Sequence, residues 1–264
     1  MNLLIMTIIS LVLISVSAMS FILSFQKNSE FWSRLGLVSG LSAAILLLIE
    51  IITGLSLYGA LVSTSVILAC VITWMTIIGQ VFFQMKLAGI MTLPLSMLML
   101  LLDLFNGPPN FVKPVESGAH LFRDIHIITA NLGQAMAIGA FSISVMYLWQ
   151  RKNLKEKVLN QVTDKVPALD RLSILLNRSI WLGLIFLTVA LISGAFYVSR
   201  SIVAYGLEYK VLWAIGVWVW YLSILILKNV FNKPTHYVSK LCVIGFFILA
   251  ISFFGVFLKP VVGV

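Results

Sequence analysis

Residues 124–157 read DIHIITANLGQAMAIGAFSISVMYLWQRKNLKEK, with no acidic or basic residue between Asp124 and Arg151. A hydrocarbon core of ~30 Å needs roughly 20 apolar residues per helical crossing, so this stretch is long enough to span it. Its edges are marked by charge, Arg123 and Asp124 on one side and Arg151 and Lys152 on the other. A transmembrane helix is the reading that uses all of these features.

Working outward, seven more runs of the same kind appear. The eight predicted spans are 3–25, 35–57, 61–84, 87–105, 125–149, 179–198, 211–227 and 241–258. The composition agrees: 61% of the 264 residues are hydrophobic and 10% are charged, against ~45–50% and ~25% in a soluble domain. The expected fold is therefore all-α, a polytopic membrane protein of about eight transmembrane helices with the lipid bilayer as its solvent. We expect one membrane domain over 1–264, organised as four N-terminal helices (1–105), an outer loop (106–124) and a four-helix region (125–264). The first run has no basic residue before its apolar stretch and is read as a retained helix rather than a signal peptide.

Lys and Arg concentrate in the cytoplasmic loops of membrane proteins. With the N-terminus outside, only Lys113, Arg123, Arg200, Lys210 and Lys259 of the 18 basic residues lie on the outer side. Both termini are thus expected to be extracytoplasmic, in the plasma (bacterial inner) membrane. The net charge of +9 comes from residues at helix ends and in one inner loop, with no aromatic–basic interleaving. Those residues set topology and meet anionic headgroups, and no nucleic-acid partner is expected. Cys70 and Cys242 fall within spans, and neither CxxC nor CxxCH occurs, which argues against thiol relay and covalent c-type haem attachment. A P-loop and a Gly-x-Ser-x-Gly nucleophile are also missing, so no independent catalytic activity is expected.

Two loops are long. The inner one, 150–178, shows apolar periodicity after Pro167 that predicts a short helix lying on the membrane surface before the sixth span. The outer one, NGPPNFVKPVESGAHLFRD at 106–124, is broken by Gly107, Pro108, Pro109, Pro114 and Gly118. It holds His120, Arg123 and Asp124, and His126 opens the next span. Neutral imidazole nitrogen is a common metal or haem-iron ligand. Near the apolar interface His126 is either a hydrogen-bonded residue or such a ligand, because burying it unpartnered costs free energy. Residues six apart on one helix differ by about 240° around the axis, so His120 and His126 reach one iron only if residues 118–122 are non-helical. His236, in NKPTHYVSK, reads as a solvated loop residue.

Glu50 is predicted well inside a span, where an acid is expensive and functional by default. It is neutral, paired with an outer basic residue, or facing a polar cavity. Asp103 lies near the outer boundary, where hydration is cheap. Gly36, Gly40 and Ala44, and Gly133 and Ala137, recur every four residues and are read as close-packing faces.

From the fifth span onward the order of segments resembles the cytochrome c assembly protein family of multi-pass haem-handling proteins, in its small eight-span form. His126 matches the family's outer-face histidine, which opens a helix ending in a basic inner loop. VPALDRLSILLNRSIWLGLIFLTVALISGAFYV, 166–198, is similar to the segment that follows, through Pro167, Leu169, Asp170, Arg178, Gly183 and Gly194. AYGLEYKVLWAIGVWVWYLSILI, 204–226, aligns with the motif Tyr-Trp-Ser-Trp-Asp-Pro-Lys-Glu and the helix after it. Glu208 stands for the aspartate, Lys210 for the lysine and Trp213 for the tryptophan that opens the helix. VIGFFILAISFFGVFL, 243–258, resembles the closing Gly-Phe run. Tyr205 and Leu207 replace the motif's tryptophans and Tyr209 its proline, and LKPVVGV after the last span carries no histidine.

The resemblance implies a haem-handling component of cytochrome c assembly or a related tetrapyrrole pathway, presenting or chaperoning haem at the outer face. It implies haem as cofactor, with His126, and His120 beside it, as candidate iron ligands. Tyr205 and Trp213 would lie on the porphyrin, Arg123, Arg200 and Lys210 would meet the propionates, and Glu208 would complete the outer motif. Other cytochrome c maturation or haem-pathway membrane proteins are the implied partners. The departures from the motif favour a small accessory relative over a full haem lyase. A non-haem scaffold or regulator of tetrapyrrole synthesis is the alternative, and a small-solute or ion transporter resting on Glu50 and Pro94 is a third.

Overall fold

In the computed structural model of the chain, residues 3–27, 29–58, 63–83, 85–106, 120–157, 166–200 and 208–258 are described, with backbone alone at 56–58, 86, 106, 120, 198–200, 208–210 and 252–258. The described residues form eight helices: α1 (Leu3–Lys27), α2 (Glu30–Tyr58), α3 (Thr64–Phe83), α4 (Lys86–Asn106), α5 (His120–Lys155), α6 (Leu169–Arg200), α7 (Glu208–Asn229) and α8 (Thr235–Leu258). Seven are long and apolar enough to cross a membrane, and α8 is a further apolar helix. The chain is an all-α polytopic membrane protein, as its runs of apolar residues dictate.

Four helices, α2, α5, α6 and α8, begin five or more residues earlier than expected. α6 starts at Leu169, so the predicted surface helix is instead the first turns of one continuous helix. The physical reason is that DRLSILLNRS, 170–179, holds neither Gly nor Pro to end a helix before the sixth span. α5 starts at His120, and its 36 residues at 1.5 Å rise reach ~54 Å, well beyond the hydrocarbon core. Helical backbone bonds continue into the headgroup layer at both ends. His236, expected in a loop, is half-buried in the first turn of α8.

Contacts cluster the chain into two compact units, Met1–Val115 with Lys152–Ala168, and Glu116–Arg151 with Leu169–Val264. In the first unit α1 packs on α2 and α4, and α3 on the same two helices, closing a four-membered ring. Its polarity is inverted relative to a soluble bundle. On α1, Ser10 and Ser17 are 0% exposed while Val12 and Met19 are 56% and 57% exposed. Lipid solvates the aliphatic face, and small polar residues let backbones approach. Ser17 Oγ donates to the Gly36 carbonyl at 2.7 Å, and a Cβ on Gly40 would stand 2.9 Å from Ser17 Oγ. The ring of Phe21 fills the space left by two glycines, since a Cβ on Gly36 or Gly89 would come within 3.3 or 2.9 Å of it. Between α3 and α4, Thr73 pairs with Ser96 at 2.9 Å and Thr76 with Thr92 at 2.6 Å.

In the second unit α7 packs on α6 and α8. Trp218 Nε1 donates to Thr188 Oγ1 at 2.9 Å and Trp220 Nε1 to the Leu241 carbonyl at 3.2 Å. Phe141 of α5 stacks on Phe246 of α8. α5 meets α6 through glycines: a Cβ on Gly133 would lie 2.8 Å from the Leu187 side chain and 3.2 Å from its backbone nitrogen. Gly133→Ala is therefore expected to destabilise by about 1–3 kcal/mol through overpacking. Gly216→Ala, whose Cβ meets nothing within 4 Å, should be neutral or slightly stabilising. Thermal unfolding of the two variants in the same detergent checks this contrast.

Candidate functional site

The site is built where the N-terminal turns of α5 meet the C-terminal turns of α6 in the second unit. His126 lies in the second turn of α5 and is half-buried. Its Nδ1 is 2.7 Å from the carbonyl oxygen of Ala190 on α6. A carbonyl only accepts, so Nδ1 carries the hydrogen, and in the neutral ring Nε2 keeps its lone pair. The imidazole fits there because Gly194, one turn beyond Ala190, has no side chain. A Cβ at that position would stand 2.8 Å from Nδ1 and 3.0 Å from Cε1. Ser193 between them bonds back to the carbonyls of Val189 and Ala190, which keeps its hydroxyl within its own helix.

Around this histidine, Phe122 and Phe196 stack with ring centroids 5.4 Å apart, tying the same two helices together nearer their ends. Arg123 Nε donates to Asp124 Oδ1 at 3.0 Å, and the two side chains are 14% and 29% exposed. That ion pair holds the guanidinium while its two terminal nitrogens remain further donors. The arrangement offers a lone-pair nitrogen, an oriented cation and apolar ring surface at one end of a helix pair.

The other expected residues divide into those described and those not. Trp213 is in the second turn of α7 and is 45% exposed, and residues 211–216 are exposed on every face. Glu208 and Lys210 lie in the first turn of α7 and Arg200 ends α6, but their side chains lie outside the described residues, as does the whole of Tyr205. His120 is the first residue of α5, and its side chain also lies outside them. Residues 120–126 are one continuous helix, on which backbone positions six apart differ by about 240° around the axis. Among the described residues no group of three or more His, Cys, Asp or Glu side chains is placed to hold a metal ion.

Sequence reasoning missed the partners of His126. The Ala190 carbonyl is a backbone group, and no residue type marks it. Gly194 was legible only as a glycine shared with a family pattern, and its contact with the imidazole needs both helices in place.

No curated protein and no solved structure matches the chain. The profile of the family described as "Cytochrome C assembly protein" matches residues 39–260. The match reaches beyond the segments from the fifth span onward and takes in α3, α4 and most of α2.

Proposed function

The chain belongs to the cytochrome c assembly protein family, and on that premise we propose that it holds and presents haem at the extracytoplasmic face of its membrane. The family gives it a role in cytochrome c maturation, in a multi-pass membrane protein. The finer reading rests on one observation, the bond from His126 Nδ1 to the Ala190 carbonyl. Metal-ligating histidines usually donate their second ring N–H to a carbonyl or carboxylate, which fixes the tautomer and raises ligand basicity. Here that bond sets Nε2 as the coordinating nitrogen, and Gly194 supplies the room.

In this reading His126 would hold the haem iron, and its partners act by position. Asp124 orients Arg123 toward an anionic propionate, and Arg200 and Lys210 add positive charge from the ends of α6 and α7. Trp213 and Tyr205 offer aromatic faces, and Glu208 is the acid of the outer motif. His120, the first residue of the same helix, is the second candidate ligand at the mouth. Haem would supply an iron with an open coordination position and two anionic tails. We place both termini outside a bacterial inner membrane and expect other cytochrome c maturation proteins as partners.

The test is the visible spectrum of detergent-purified protein, alone and titrated with haem. A saturable Soret band with a nitrogen-ligated signature is expected. Its absence at saturating haem overturns ligation and leaves a non-haem scaffold, in which the Ala190 bond is only a tie between helices. Reporter fusions at the start of α5 should read extracytoplasmic, and a cytoplasmic reading overturns the orientation.

A further inference from the structure

The first unit contains an acid that the haem reading does not use. Glu50 is 1% exposed in the interior of the bundle. From α1 it meets the hydroxyl of Thr7. Among the described residues, Cys70 of α3 and Asp103 of α4 are the titratable groups within electrostatic reach, and neither is a cation. The Asp103 carboxylate is itself taken by the Ser63 hydroxyl. The basic side chains described on α1–α4 are Lys27 and Arg34. They lie at the far ends of α1 and α2, on the order of 24–30 Å away along the helix axes at 1.5 Å per residue, and Arg34 is bound to Glu30.

Hydrogen counting then decides the state of the acid. Thr7 Oγ1 lies 2.6 Å from Glu50 Oε1 and 3.1 Å from the Leu3 carbonyl oxygen, and it has one hydrogen for two acceptors. With Glu50 ionised, Thr7 must give that hydrogen to Oε1. The Leu3 contact is then empty, and Oε2, which has no hydrogen-bond partner among the described residues, is a bare anionic oxygen in a buried site. An unpaired buried charge of that kind is strongly unfavourable. With a proton on Oε1, the carboxyl donates to Thr7, Thr7 donates to Leu3, and Oε2 is a neutral carbonyl oxygen. Only the protonated form fills both short contacts.

We propose that Glu50 is a proton-binding site of the first unit, a neutral carboxylic acid at neutral pH, and that its proton exchanges with water at the N-terminal end of α1 through the Thr7 hydroxyl. In the exchange the Oε1–H bond breaks as an Oγ1–H bond forms, and the hydrogen originally on Thr7 passes to water beyond the first turn of α1. The net result is a carboxylate and a hydrated proton, reversed on rebinding. Such a group changes the charge of the bundle interior without a counter-ion.

Infrared spectroscopy of the full chain in lipid bilayers at neutral pH tests this. A protonated-carboxyl C=O band is expected, shifted by ¹³C-glutamate labelling, lost in Glu50→Gln and kept in Asp103→Asn. Deuterium exchange of that band should slow at least tenfold in Thr7→Val. A band missing from the wild type, or moved by labelled aspartate and not by labelled glutamate, overturns the proposal even if Glu50→Gln does not fold. Unchanged exchange in Thr7→Val overturns the route.

Discussion

His126→Ala should cut haem affinity by at least the roughly 100-fold that marks the upper range for losing even an outer-shell partner of a metal ligand, because it removes the coordinating nitrogen itself. A haem titration followed at the Soret band reads the loss, and retained affinity would sink the assignment. The companion variant is Gly194→Val, which keeps the histidine. A branched side chain grown from a point 2.8 Å from Nδ1 must push the ring off the Ala190 carbonyl. The imidazole then loses its fixed tautomer and direction, and affinity should fall about 10–100-fold. A structural tie would instead report both variants as lost thermal stability, with haem affinity unmoved.

Phe21→Ala should produce the largest loss of stability in the first unit, about 3–5 kcal/mol. Its ring is 1% exposed and lies against the backbone positions of Gly36 on α2 and Gly89 on α4. Three helices therefore lose contact atoms at once, and two glycines leave nothing able to refill the space. In lipid the transfer of an aliphatic surface contributes little, so the loss is one of packing contacts. Phe105→Ala is the matched control, since that ring is 86% exposed and faces the solvating chains. Unfolding in mixed micelles should separate the two by several kcal/mol, and similar values would mean that the Phe21 site collapses without cost.

The spans were legible because membrane thickness imposes a length on apolar runs, and the Gly36, Gly40 and Ala44 row because close approach demands small residues. The start of α6 at Leu169 was not, since amphipathic periodicity is the same for a surface helix and for the first turns of a span. The partner of Glu50 was not legible either. Thr7 is one of many hydroxyl residues in the chain, and 43 residues separate it from Glu50. His126 could be picked out by residue type and family pattern. What holds it is a carbonyl 64 residues away, which a one-dimensional reading cannot see.

The threonines of α3 and α4 bear on how the chain is made. Thr73, Thr76 and Thr92 can each donate to the carbonyl four residues earlier in their own helix, and on docking the single hydrogen of either Thr76 or Thr92 turns to the other. Each span can thus leave the translocon with those hydroxyls already satisfied, and dock later. Glu50 differs from those threonines, because its partner is on another helix. Synthesis supplies that helix first: by the time α2 emerges, α1 is already in the bilayer with Thr7 waiting.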